Sequence, residues 1–270
     1  MIMLPANIAA VATVLSLTSA QPNSVLLRYH FQRGATHDYL MTVTTKMSMG
    51  GQASGFNMDM RMDTRQKVVS VASDGTATLQ GKVLNMSMTM NGQPIDAGKK
   101  GTGQTFTMKM SPTGKLSDMH MPGMNTSSMG GGMNFEGMQF GTRLPAGPVR
   151  PGSTWSSGVE MPGMGSITLQ NRLDRVYSNG RSTLAEIESS GSIDLGKMIR
   201  KMAPQLQGMS GGGRANIDMR YTFDQTLGLV RSMSGGGTYS LEMSTGRPSG
   251  RGPSSMKMTG SSQITMQIRG

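Results

Sequence analysis

The residues best suited to chemistry lie in one short segment, Asp118-Met-His-Met-Pro-Gly-Met124. Thioethers and an imidazole are the soft and borderline donors that Cu(I) and Ag(I) prefer. Met119, Met121 and Met124 could supply three sulfurs, and His120 one ring nitrogen. The surrounding stretch, rich in Gly, Met, Asn and Ser and carrying Met129, Met133 and Met138, reads as a loop rather than a strand. The plainer reading is that these side chains fold over the open edge of a sheet. It is favoured because Met is frequent along the whole chain, 30 of 270 residues.

A second set of methionines has a different geometry. Met47 and Met49, then Met58, Met60 and Met62, then Met86, Met88 and Met90, then Met108 and Met110 each recur at every second position. In a strand that spacing puts all of them on one face. They read as the core face of a sheet, with Met where Leu or Val would be usual. If that face is concave and incompletely filled, it is also an adaptable apolar pocket, because Met is unbranched and fills irregular shapes. Met58, Met60, Met86, Met88, Met108 and Met110 are therefore the candidate ligand-lining residues for an acyl chain or another flexible hydrophobic molecule.

Catalytic arrangements do not emerge. The three histidines are His30, His37 and His120, and no nucleophile elbow accompanies any of them. Asp59 with Asp63, and Glu186 with Glu188, are the nearest approaches to acidic pairs. Glu186 and Glu188 share one face of an expected strand, and that face is expected to be the solvated one. Metalloprotease, phosphate-loop and dinucleotide motifs are absent from the sequence. The Gly-Gly-Gly runs at 130–132, 211–213 and 235–237 lack the Lys or Ser and the strand–helix context of a phosphate site. The chain is read as a non-enzyme without a cofactor.

The elements that must position these side chains are mostly strands. Val25 to Arg33 alternates weakly, and His37 to Met49, Met58 to Ala72 and Thr76 to Met90 alternate over long runs. Asp74-Gly75 between two such runs predicts a type I′ hairpin turn, which needs positive φ at both central residues. Val71–Leu79 matches Val176–Leu184, with Asn179-Gly180 in place of Asp74-Gly75. Phe106–Met119 resembles Tyr221–Met233, with turns at Gly114 and Gly228. Two tandem meanders follow, with halves at about 25–119 and 153–270 joined by a Met/Gly/Pro-rich connector at 120–152. One short amphipathic helix is expected, because Leu195, Met198, Ile199, Met202 and Leu206 fall at helical spacing. Its favoured role is to cap an open face of the sheet, and lying on a membrane surface is the alternative. Trp155 is expected to open the next strand and anchor it by burying its indole.

Composition bounds the setting. With 38 Gly and 4% aromatic residues, the chain suits many turns and a thin core. The net charge is +11, but 26 basic residues are scattered with no run longer than two, so nucleic acid is not an expected partner. Peripheral contact with an anionic membrane surface fits the charge better. The absence of Cys excludes disulfides, thiolate sites and a lipid-modified cysteine. The apolar run Ile8 to Leu17 followed by Thr18-Ser19-Ala20 reads as a signal peptide over residues 1–20, leaving a single β domain at 21–270. No other stretch is long and apolar enough to cross a bilayer as a helix.

The export signal, the repeated strand–Asp/Asn-Gly–strand unit and the connector Leu144-Pro-Ala-Gly-Pro-Val-Arg-Pro-Gly-Ser-Thr-Trp155 resemble a family of exported bacterial proteins of unknown function. The resemblance implies a large curved antiparallel sheet, similar to the lipoprotein-carrier half-barrels of the LolA and LppX type. It carries over no catalytic residues, and the methionine content departs from the family's pattern. The expectation is an all-β half-barrel in the cell envelope, periplasmic or extracellular and monomeric, that binds a lipid-like or other hydrophobic small molecule. Soft-metal binding through Met119, His120, Met121 and Met124 is the first alternative, and a structural envelope role the second.

Overall fold

A computed structural model describes residues 24–50, 55–96, 101–120, 142–161, 165–196, 209–245 and 255–269. The expected signal peptide lies outside the described residues. Six strands form the first meander: β1 (Thr36–Met49), β2 (Phe56–Val71), β3 (Ala77–Met90), β4 (Gln93–Pro94), β5 (Thr105–Met110) and β6 (Leu116–His120). Six form the second: β7 (Thr154–Met161), β8 (Gly165–Asn179), β9 (Ser182–Asp194), β10 (Met209–Asp224), β11 (Leu229–Thr245) and β12 (Ser255–Arg269). They make one antiparallel 12-stranded sheet in the order β6-β5-β3-β2-β1-β12-β11-β10-β9-β8-β7, with the two-residue β4 beside β3. The first meander runs from the centre outwards and the second from the far edge inwards, so β1 and β12 join them. The sheet is open, with β6 and β7 as its edges. Among the described residues no helix is complete; Leu195 and Gly196, where the expected helix begins, are helical, and Met198, Ile199, Met202 and Leu206 lie outside the described residues.

Alternation decides the two faces. Met41 pairs Met62 on β2 and Met266 on β12, and Met62 pairs Met86 on β3, so one apolar row crosses four strands. The opposite face carries charge. Arg175 makes two hydrogen bonds to Glu186, at 2.9 and 2.7 Å, and Arg172 and Arg220 both donate to Glu188. Arg65 grips Asp38 in the same two-bonded way. Asp59 and Asp63 are also on this face, taken by Thr44 and Arg269. The acidic pairs singled out in the sequence are thus members of cross-strand ladders, which stabilise sheets modestly.

The sheet must curl, because one core contains residues from distant strands. Val68, Leu79 and Met108 of the first meander pack in the same cluster as Leu173, Ile187 and Phe223 of the second. Four single-residue irregularities lie in the half of the sheet nearest this core, in the β2–β3, β8–β9 and β10–β11 pairs. Such bulges bend the strand and increase its twist. They also explain two exposed aliphatic side chains: Val69 and Leu84 are bulge residues without a cross-strand partner.

A feature of another kind closes the base of the curl. Val25 to Arg33 alternate as a strand would, but residues 24–35 form an extended strap whose one sheet pairing among the described residues is Val25 with Val149. The strap crosses both meanders. Tyr29 N donates to Pro112 O at 2.8 Å in the β5–β6 turn, and His30 N donates to Gly228 O at 3.0 Å in the β10–β11 turn. Arg28 reaches the carbonyls of Pro145 and Ala146 in the connector. Leu27 and Tyr29 point into the core, where Tyr29 meets Phe223 edge-to-face at 5.2 Å. An extended chain alternates its side chains whether or not it joins a sheet, so the sequence pattern alone could not separate strap from strand.

The turns also depart from expectation. Asp74-Gly75 sits in a five-residue connection, Ala72 to Thr76, with positive φ at Gly75 but not at Asp74. Its geometry comes from the Asp74 carboxylate, which accepts from both the Thr76 amide and hydroxyl. At β8–β9 the positive φ is at Gly180, the first central residue, which is the type II′ pattern. The true type I′ signature is Asn91-Gly92, with φ of 51° and 78°, joining β3 to β4. The triplets Gly211–Gly213 and Gly235–Gly237 lie inside β10 and β11 and are paired throughout.

Candidate ligand-binding concavity

The concave face divides into two parts. The upper part is a cluster of buried Met41, Met60, Met62 and Val83, with half-buried Val43, Met86, Met88 and Ile264 packed against it. Met58 is buried beside it, across the strand pair from Met90, which is exposed. Further along the same face Gly235, Gly237 and Ser262 are small, and Met219 lies over Gly235. Methionine side chains of this wall can re-pack around a chain-like hydrophobic molecule.

Met108 and Met110 occupy a different position. Both are buried in the lower core, Met108 at 1% exposure. β5 brings them there because Phe106 lies flat over Gly81 of β3, where a Cβ would stand only 2.0 Å from the ring. The six candidate lining methionines are therefore not one surface. Met58, Met60, Met86 and Met88 belong to the upper wall, and Met108 and Met110 to the base.

The base also holds a cavity of about 380 Å³ between the strap, the β10–β11 turn and the sheet. Tyr29, Phe31, Tyr39, Val68, Phe106 and Met110 form much of its apolar wall. His37, Thr64 and Gln66 add polar atoms from neighbouring positions of β1 and β2. Sequence reasoning did not find this site, because its ceiling comes from the strap. Burial pushes the Tyr39 and Tyr221 hydroxyls up to about 12, and Tyr29 higher still, so all three are un-ionised at neutral pH.

His37 is held below its ordinary value chiefly by burial, with Asp38 opposing. A depressed histidine favours the folded state most when neutral, and the unfolded chain binds the extra proton first as pH falls. Its contribution is complete above about pH 6.5 and declines as acid carries the protein down towards the lowered folded value. Denaturant melts should show a lower midpoint at pH 5 than at pH 7.5, and His37→Gln should narrow that gap. An identical gap in the variant would assign the pH dependence elsewhere.

The expected metal-binding loop begins on a strand, contrary to the sequence reading: Met119 and His120 end β6. A bulge at Asp118, whose φ is +52°, interrupts the pairing with β5, and Lys109 holds the Asp118 carboxylate at 2.8 Å. Met119 packs against the lower core while His120, paired with Thr107, is exposed. Consecutive strand residues project to opposite faces, so these two donors diverge. Met121 and Met124 lie outside the described residues.

One polar knot interrupts the concave face of the second meander. Asn171, fully buried, donates to Trp155 O at 3.1 Å and to Ser157 Oγ at 2.9 Å, and accepts from Ser189. Its partners are internal, so it fixes the register of β7, β8 and β9 rather than presenting groups to a ligand. Trp155 does open β7, half-buried, with its indole N–H donating to Arg143 O at 2.8 Å.

No protein-family model matches this chain, and no curated protein does. Among solved structures, one described as "Lipid-protein interactions in lipovitellin" aligns with 89% of this chain at a TM-score of 0.50 and 11% identity. The chain spans 26% of the length of that structure's chain. At this identity the likeness is one of fold: a large, curved, open antiparallel sheet.

Proposed function

We propose that this is an exported, non-enzymatic protein that binds or carries a lipid-like ligand against its concave face, a half-barrel similar to the carriers of the LolA and LppX type. The observation that carries the reading is the contiguous upper wall of Met41, Met60, Met62 and Val83 with Met86 and Met88 half-exposed beside it. The four core members are themselves buried, so a ligand would lie against the half-buried Met86 and Met88 and the wall would re-pack around it. Methionine suits a ligand of variable shape, because its three rotatable bonds re-pack at little cost. The likeness to a sheet from lipovitellin, described by its lipid–protein interactions, supports the same class of ligand. A cell-envelope setting accords with the apolar run and small-residue site at residues 8–20.

Native mass spectrometry of protein purified from its own host is expected to find co-purifying lipid. Displacement of a fluorescent phospholipid should be saturable. The double variant Met86→Gln, Met88→Gln should weaken it by roughly tenfold, the effect of about 1.4 kcal/mol of lost apolar contact. Both side chains are half-buried, so the variant should fold. A protein that carries nothing and binds no probe would refute the proposal.

A further inference from the structure

We propose that the cavity beneath the strap is a separate binding site for a single-chain carboxylate amphiphile, a fatty-acid-like anion. This does not rest on the reading of the upper wall, because different residues build it. The cavity of about 380 Å³ lies within the size range of small-molecule sites. The surrounding core is tightly filled, since Leu27, Leu79, Met108 and Phe223 are all fully buried. The space itself is a recess at the junction of strap, turn and sheet, walled by side chains from all three. Concave, mostly apolar recesses with a few polar groups are the usual form of a small-molecule site.

The walls define that occupant. Tyr29, Phe31, Tyr39 and Phe106 are rigid aromatic surfaces suited to a hydrocarbon chain. On the β1–β2 side His37 is paired with Gln66 across the strands and Thr64 is the next inward-facing residue on β2, while His30, Gln32 and Thr226 border the space from the strap and the turn. His37, Thr64 and Gln66 can each donate a hydrogen bond. No Asp or Glu is among the lining residues, and Arg65, which also borders the space, is bound by Asp38. Donors without a facing carboxylate suit an acceptor-only headgroup. A carboxylate there would accept from His37, Thr64 and Gln66 while its chain lies along the aromatic wall.

Calorimetric titration of the whole protein with sodium dodecanoate, and separately with dodecanol, tests this. We expect one saturable dodecanoate site, weaker binding of dodecanol, and a loss of about tenfold in dodecanoate affinity in His37→Leu, which removes the donor, with dodecanol little changed. Val68→Phe, which fills the space, should abolish both if it folds; if it does not, the His37→Leu contrast decides. Saturating dodecanoate should leave binding of a fluorescent phospholipid in place, which separates this site from the upper wall. Absence of saturable dodecanoate binding, equal affinity for the alcohol, or indifference to His37→Leu would overturn the proposal.

Discussion

Replacing Phe223 with Ala is expected to lower stability by about 3–5 kcal/mol. Phe223 has no solvent exposure and meets Tyr29 of the strap edge-to-face, with interplanar angle 84°. It also stands between Ala185 on β9 and Val230 on β11. Its loss removes apolar burial, leaves a void beside an existing cavity, and deprives the strap of its aromatic partner. The backbone around it is fixed by the β9–β10–β11 ladder, so little collapse can offset the void. For a domain of this size each kcal/mol moves the melting temperature by roughly 2–4 °C. Thermal melts of the variant should therefore fall by roughly 6–20 °C. A shift within error of the parent would show that the strap and the second meander do not share a core.

Gly228→Val is expected to act on the strap more selectively. Gly228 has φ of +65°, a left-handed backbone that costs a residue with a side chain about 1–2 kcal/mol. A Cβ there would also lie 2.4 Å from the backbone nitrogen of His30. Backbone cannot swing aside as a side chain end can, so the strap must lift and lose the His30-to-Gly228 hydrogen bond. Strain and steric displacement together should cost about 2–5 kcal/mol. Hydrogen exchange should report this first, with faster exchange at Tyr29 and His30 while β8 and β9 stay protected. Unchanged protection of those strap amides would contradict the crossing described here.

The methionine pattern made much of the sheet legible. Spacing of two at Met58, Met60 and Met62 and at Met86 and Met88 marked β2, β3 and their shared inward face correctly, because alternation is a direct consequence of strand geometry. It could not separate upper wall from base. The burial of Met108 depends on Phe106 dropping across Gly81 and on the strap, both set by contacts distant in sequence. Turn residues misled for a related reason: Asp74-Gly75 has the composition of a type I′ turn, yet the Asp74 carboxylate closes a longer loop. The glycine triplets, weighed in the sequence only against a phosphate site, are at Gly211–Gly213 and Gly235–Gly237 parts of strands, where neighbouring backbones supply the pairing. Met119 and His120 looked like neighbours in a loop, and the strand they end turns them apart.

The strap has a further consequence for how the chain acquires its structure. Tyr29 bonds to a carbonyl 113 residues away, Arg28 to one 117 residues away, and Thr42 on β1 meets Thr265 on β12 across 223 residues. The earliest part of the described chain is thus held by segments more than a hundred residues later, and β1 by the last strand. Loop-closure entropy must be met before such contacts form, so folding of this topology is slow and late-committing. Each meander can assemble locally, hairpin by hairpin. The basal crossing must wait for the β10–β11 turn, and the central β1–β12 seam until β12 is present. A chain ending before residue 255 would keep its hairpins, yet β1 would be left as an unpaired edge, open to pairing with other chains.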